Sequence, residues 1–234
     1  VSSSAVMFDI LSKRSDARQA ARVNPVLRLP DRSGGLRLGG GRAAHPRSRL
    51  AHMDVERSLP RFAVVDIETS GLSTRRHRVL QVAVATVVDG QIVEEWSSLI
   101  RARWPWQRIG PRHVHGLTRD QLRDAPLRDD VLREFAQRVD GAVLCAHNVE
   151  FDWAFLVRDA RRAGVELAPA HQLCTLRLSR RLDPNRQMSH RLGDVCARYG
   201  IVNERAHDAR FDARATAQVL PRLLAEHGVT AAED

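Results

Sequence analysis

Residues 62–71 read Phe62-Ala-Val-Val-Asp66-Ile-Glu68-Thr-Ser-Gly71. Four apolar residues run into Asp66, Glu68 follows two positions later, and a glycine ends the run. A short apolar run closed by a turn residue predicts a buried strand. Alternate side chains share a face of a strand, so Asp66 and Glu68 project from the same side. Two carboxylates held close at the end of a buried strand repel each other, and a proton or a cation between them relieves the repulsion. Hard divalent ions such as Mg²⁺ and Mn²⁺ suit an all-oxygen site. The plainer alternative is a solvated strand end and a helix cap.

Outward from this strand, Val79–Val88 predicts a second one. Asp89-Gly90 is a two-residue hairpin signal, and Gln91–Ile100 returns as a third strand. The front of the domain is therefore a meander. Residues 101–117 form a long connection holding Trp104, Trp106 and His113-Val-His-Gly116. Its two histidines could be metal ligands, but a loop that packs its tryptophans on the domain edge is the favoured reading. Thr118-Arg-Asp-Gln121 is a capping box that opens a short helix. Apolar residues at 127, 131, 132, 135, 136 and 139 have helical spacing.

Ala142–Ala146 predicts a short buried strand running into His147-Asn-Val-Glu-Phe-Asp152, with a helix over 153–163 stopped by Gly164. Two short helices follow over 174–182 and 192–199, and a last one lies within His207–Leu224. A meander followed by strands alternating with helices predicts an α/β fold, a mixed sheet covered by helices.

The chain has 234 residues, 43% of them hydrophobic, enough for one domain with a substantial core plus an appendage. Cys145, Cys174 and Cys196 are odd in number and form no CxxC pair, which argues against a disulfide framework or a zinc site. A reducing, cytoplasmic setting fits. No apolar run approaches the roughly 20 residues of a membrane span, and no signal peptide is evident.

The net charge is +9. Residues 1–60 hold 11 basic and 5 acidic side chains, so most of the excess lies in the front segment. Residues 1–58 are rich in Arg, Gly and Ser, and Phe8 is their only aromatic. Such a segment buries too little apolar surface to offset its ordering entropy, so a disordered basic tail is expected, with a basic arm on nucleic acid as the alternative. The folded domain is expected over 59–230.

Three stretches each bring acids to a strand end or a helix start. They are Asp66-x-Glu68, His147-Asn-x-x-Phe-Asp152 and His207-x-Ala-x-x-Asp212. In this order, with Val-His-Gly-Leu-Thr118 between the first two, the chain resembles the DnaQ-like 3′-to-5′ exonucleases, the DEDDh group of the ribonuclease H-like fold. The resemblance covers about residues 61–227. It implies a mixed five-stranded sheet flanked by helices, and two divalent metal ions, Mg²⁺ or Mn²⁺. Asp66 would bridge both ions, Glu68 and Asp212 would hold the water-activating one, and Asp152 would support the other. His207, five residues before Asp212, matches the general base. The sister group has a tyrosine four residues before its last aspartate, where this chain has Asp208.

By the same resemblance, Thr69 and Leu72 contact the 3′-terminal nucleotide, and His147, Asn148 and Phe151 line its pocket. Against this, Leu72 and Phe151 could be plain core and Asn148 a helix cap. The expected function is two-metal 3′-to-5′ exonucleolytic hydrolysis of a nucleic-acid 3′ end, single-stranded DNA first. The alternatives are RNA trimming of the oligoribonuclease or RNase T kind, and proofreading with a polymerase partner. Only 22 residues follow Asp212, which predicts no long C-terminal tether to a polymerase.

Overall fold

A computed structural model describes residues 59–229 except Pro105. The expected disorder of residues 1–58 lies outside the described residues. Five strands form one mixed sheet: β1 Phe62–Thr69, β2 Val79–Val88, β3 Gln91–Leu99, β4 Val143–Ala146 and β5 His171–Cys174. Their spatial order is β3-β2-β1-β4-β5. β1 pairs antiparallel with β2, β2 antiparallel with β3, and β4 lies parallel to both β1 and β5. The helices are α1 Arg112–His115, α2 Arg119–Arg123, α3 Arg128–Val139, α4 Val149–Ala163, α5 Thr175–Arg181, α6 Leu192–Arg198 and α7 Ala209–Glu226. The meander, the α2 capping box and the last helix stand where the sequence predicts them.

The pleat of β1 assigns its side chains to two cores. Phe62 and Val64 join a cluster with Ala215, Val219 and Leu220 of α7. Ala63, Val65 and Ile67 join another with Phe135 of α3 and Phe155 of α4. Asp66 and Glu68 continue the parity of Phe62 and Val64, so they belong to the α7 layer. Burial of each large apolar side chain contributes about 1.5–3 kcal/mol, and these two layers fix the strand between them.

Pairing across β1 is uneven, and this positions the site. β1 pairs with β2 as far as Thr69, with an irregularity between Glu68 and Thr69. It pairs with β4 only over Phe62–Val64. Beyond Val64 the two parallel strands part, and the chain turns away from β4 into α4. A crevice at the carboxyl ends of parallel strands, where connections leave in opposite directions, is where open α/β sheets bind ligands. Asp66 and Glu68 sit on that stretch.

Three local expectations change. α4 starts at Val149, one turn before the predicted 153, because Asn148 takes a left-handed backbone (φ 79°) that begins the helix without a side-chain cap bond. β5 is an added edge strand of four residues whose first two are exposed, so it lacks the apolar run that announces the others. The tryptophans of the long connection do not pack on the domain edge: Trp104 is 47% and Trp106 74% exposed, and the two rings stack on each other.

Candidate active site

Four elements converge at the carboxyl end of β1. The strand brings Asp66 and Glu68, the first turn of α4 brings Asp152, and the first turn of α7 brings Asp212. His207 lies in the turn before α7. A ring nitrogen of His207 and carboxylate oxygens of Glu68 and Asp212 lie within 4.8 Å of one another. The charges of Asp152, Asp212 and Glu68 all act on the Asp66 carboxyl.

Crowded acids in a poorly solvated place resist ionisation. Burial, then the charges of Asp152, Asp212 and Glu68, hold the Asp66 carboxyl well above the usual carboxylate range. Glu68 is pushed up to about 8 by burial and then by Asp212 and Asp208. Asp152 is raised by burial, against hydrogen bonds from its own backbone N–H and that of Ile67. Asp152 comes from the layer opposite Asp66 and meets it around the strand end. Asp212 is raised by burial and held by two donors, the Asn203 amide and the His207 backbone N–H at 2.9 Å.

The backbone of His207 is left-handed (φ 64°), a conformation uncommon outside glycine and asparagine. Its N–H bond to Asp212 fixes this turn, leaving the side chain exposed toward the carboxylates. His147 differs. Its Nε2–H donates to the His190 carbonyl at 2.9 Å, and its Nδ1 accepts from the Thr175 hydroxyl at 3.0 Å. Burial lowers its pKa, which favours the neutral ring. Both ring nitrogens are thus occupied by the α5 side of the domain.

The residues expected to line a nucleotide pocket separate as well. Leu72 is 83% exposed, which rules out plain core. Asn148 is exposed and makes no side-chain cap bond. Phe151 is partly buried against Phe155, with ring centroids 5.2 Å apart, so it forms the edge of the core. Thr69 bonds the Gly71 carbonyl at 2.9 Å and closes the turn that presents Leu72. A Cβ on Gly71 would stand 2.6 Å from the His77 ring, so that turn needs glycine.

Two supporting residues escaped the sequence reading. Gln81, opposite Glu68 on β2, donates to Asp208 at 3.0 Å and accepts from the Ala209 N–H, which ties the start of α7 to the sheet. A polar side chain among the apolar residues of β2 was the available signal. Asn203 carried none, because its partner is nine residues away across a turn. His115 is buried, with both ring nitrogens bonded to backbone at Ile109 and Leu117, and this is a structural role. Among the described residues, the one group of three or more metal-ligating side chains is Glu68, His207 and Asp212.

Residues 63–220 match the RNase_T family, described as exonuclease. The DNA polymerase III PolC-type of Bacillus subtilis strain 168 is 33% identical over 172 residues, 72% of this chain and 12% of that protein. The PolC-type polymerase of Lacticaseibacillus paracasei is 32% identical over 165 residues, 70% of this chain and 11% of that one. The chain therefore spans about a tenth of the length of these curated relatives. Among solved structures, Exonuclease X in complex with 5′-overhanging duplex DNA has a TM-score of 0.58 at 26% identity, covering 73% of this chain and 95% of that one. Exonuclease I has a TM-score of 0.61 at 18% identity, covering 72% and 43%, which shows a shared fold. With more than half its length matched, the chain belongs to the DnaQ-like 3′-to-5′ exonuclease family, the DEDDh group of the ribonuclease H-like fold.

Proposed function

We propose that this domain removes nucleotides from the 3′ end of single-stranded DNA, with Asp66, Glu68, Asp152 and Asp212 holding two divalent ions and His207 as the general base. The observation that carries the reading is the meeting of His207, Glu68 and Asp212 at one place, with the Asp66 carboxyl under the charges of Asp152, Asp212 and Glu68. The donor set fits hard cations: four carboxyls, each raised by burial, form an all-oxygen site whose repulsion Mg²⁺ or Mn²⁺ would relieve. When bound, such a pair supplies an activated water and neutralises charge on the phosphate and the leaving oxygen.

The protein groups do the rest. His207 takes a proton as the water oxygen bonds to phosphorus. The bond from phosphorus to the 3′ oxygen breaks, giving a nucleoside 5′-monophosphate and a strand ending in a 3′ hydroxyl. Asn203 and the His207 N–H hold Asp212 while this happens. Leu72 offers an exposed apolar face to the terminal base, and Thr69, Asn148 and Phe151 border the same crevice. Three buried, unpaired cysteines accord with a reducing, cytoplasmic setting. No helix among the described residues is long and apolar enough to cross a membrane.

Matched DNA and RNA oligomers labelled at the 5′ end test the reading. A ladder shortening from the 3′ end with Mg²⁺ or Mn²⁺, faster on DNA and absent in chelator, is expected. Full activity in chelator overturns it, and faster decay of RNA turns it to RNA trimming. The PolC-type relatives favour a second reading, editing within a polymerase assembly, which predicts co-purification with a polymerase.

A further inference from the structure

Beside the turn that presents Leu72 lies a cavity of about 770 Å³, lined by Arg78, Arg101, Arg103, Arg128 and Arg162. Its two acids are already engaged. Asp129 pairs with Arg128 at 2.8 Å, and Asp159 pairs with Arg158 at 2.7 Å and Arg162 at 3.9 Å. Five lining arginines against two aspartates leave a surplus of positive charge. Burial, and then the like charges of Arg158 and Arg162, push the Arg78 guanidinium below its ordinary range, against the opposing charge of Asp159. An anion placed there relieves that repulsion.

At the rim stands the connection after β3. It is anchored at both ends, because Ala102 and Ile109 pack on Leu80, Leu117 and Leu122. Between them, Gln107 N–H bonds the Trp104 carbonyl at 3.0 Å, and the Gln107 side chain accepts from Arg103 N–H at 2.9 Å. The tip is thus a closed turn. It carries Trp104 and Trp106 outward, stacked 6.0 Å apart and tilted by only 6°, with the Arg103 guanidinium 4.8 Å over the Trp104 ring. Large exposed indoles cost hydration and serve no core. The same connection runs on to the turn after β1: a Cβ on Gly110 would meet the Ser70 carbonyl at 2.5 Å, and Ser70 N–H bonds the Arg78 carbonyl at 2.9 Å. Arg158 bonds the carbonyls of Thr74 and His77, joining the same turn to the cavity.

Exposed flat aromatics beside a cationic channel are the two requirements for holding a single strand without reading its sequence, through stacked bases and a tracked phosphate backbone. We propose that Trp104, Trp106 and the arginine-lined cavity form a second nucleic-acid contact, which holds the single strand upstream of the terminal nucleotides. This rests on the exonuclease reading for its purpose, but not for its measurement. Single-strand sites span roughly 4–16 nucleotides, so a strand of about a dozen should reach this surface and a mononucleotide ester should not.

The experiment uses the full chain and oligo(dT). In chelator, titration should quench tryptophan fluorescence, and W104A/W106A should weaken binding roughly 5- to 100-fold, the range for losing stacked bases. R103A and R162A should each lower the slope of log affinity against log salt by about 0.7, the value per phosphate on single strands. With Mg²⁺, W104A/W106A should raise KM on the long strand more than it lowers kcat. Unchanged melting temperatures show that the variants fold. An unaltered affinity and salt slope in the folded variants overturns the inference. So does equal quenching by thymidine 5′-monophosphate, which points to a mononucleotide pocket, or by duplex of the same length. A wild type that cleaves neither the thymidine 5′-monophosphate p-nitrophenyl ester nor the long strand defeats the exonuclease reading instead, and the binding arm still reports on the surface.

Discussion

His147 stands five residues before Asp152, and His207 stands five residues before Asp212. Each pair spans a turn with a left-handed residue, Asn148 at φ 79° or His207 at φ 64°, and each aspartate lies in the first turn of the helix that follows. In sequence the two segments are near-equivalent candidates for a base and its acid. In the fold they part. His147 has both ring nitrogens bonded, to Thr175 and His190, whereas His207 is exposed with its ring beside Glu68 and Asp212. Spacing brings each aspartate to the crevice, and hydrogen-bond partners decide which imidazole can accept a proton.

The largest effect should fall on what the two segments share. Asp152→Asn and Asp212→Asn should each reduce nuclease activity to background, since each removes a carboxylate from the proposed metal-binding set. Neither should lower the melting temperature of the metal-free protein, because each relieves repulsion around Asp66. Retained activity in either variant breaks the equivalence of the two acids.

The next effect separates the histidines. His207→Ala should lower turnover roughly 10²- to 10⁴-fold, the usual worth of a positioned acid or base. Divalent-ion binding, followed by calorimetry, should persist, because the four carboxylates remain. His147→Ala should keep turnover within a few-fold and instead cost about 1–3 kcal/mol of stability, the penalty for leaving buried partners unsatisfied. Denaturant unfolding of the two variants reads this directly. A His147→Ala protein of normal stability and lost turnover would reverse the assignment.

The comparison also marks where sequence stops informing. The carboxylate-bearing strand, the Asp89-Gly90 hairpin and α7 were legible because apolar runs and turn residues act locally. β5 was not, since His171 and Gln172 are exposed and the strand is specified by its parallel pairing with β4. Leu72 could be plain core by its residue type, but it is 83% exposed, in a turn where Gly71 lies close against the His77 ring. Trp104 and Trp106 were expected to pack on the domain edge, and they are exposed and stack on each other. The family resemblance named His207 as the base, but spacing alone does not separate it from His147, because Thr175 and the His190 carbonyl lie 28 and 43 residues away. Local pattern pointed to the acids, and long-range partners separate the two histidines.

The smallest effect is one of pH on the metal-free protein, and the two regions should act in opposite directions. Burial lowers the pKa of His147 below its ordinary 6.5, so its neutral form is favoured in the fold. The unfolded chain takes up a proton there first, and stability from this region is lost as pH falls through about 6.5. Glu68 is raised from 4.5 to about 8, so its protonated form is favoured in the fold. That contribution is fully present below 4.5 and is lost as pH rises through about 8. Below about pH 6.5 the two slopes oppose each other, and above it only the Glu68 loss acts, so the melting temperature in chelator should fall between about pH 6.5 and about pH 8. Glu68→Gln should flatten the alkaline limb, and His147→Gln should flatten the acidic one. Saturating Mg²⁺ should remove the alkaline fall alone, because a cation replaces the proton among the carboxyls and binds only the folded state. An alkaline limb that persists in Glu68→Gln, or that Mg²⁺ leaves unchanged, would mean that the acids of the crevice do not set the stability of this end of the sheet.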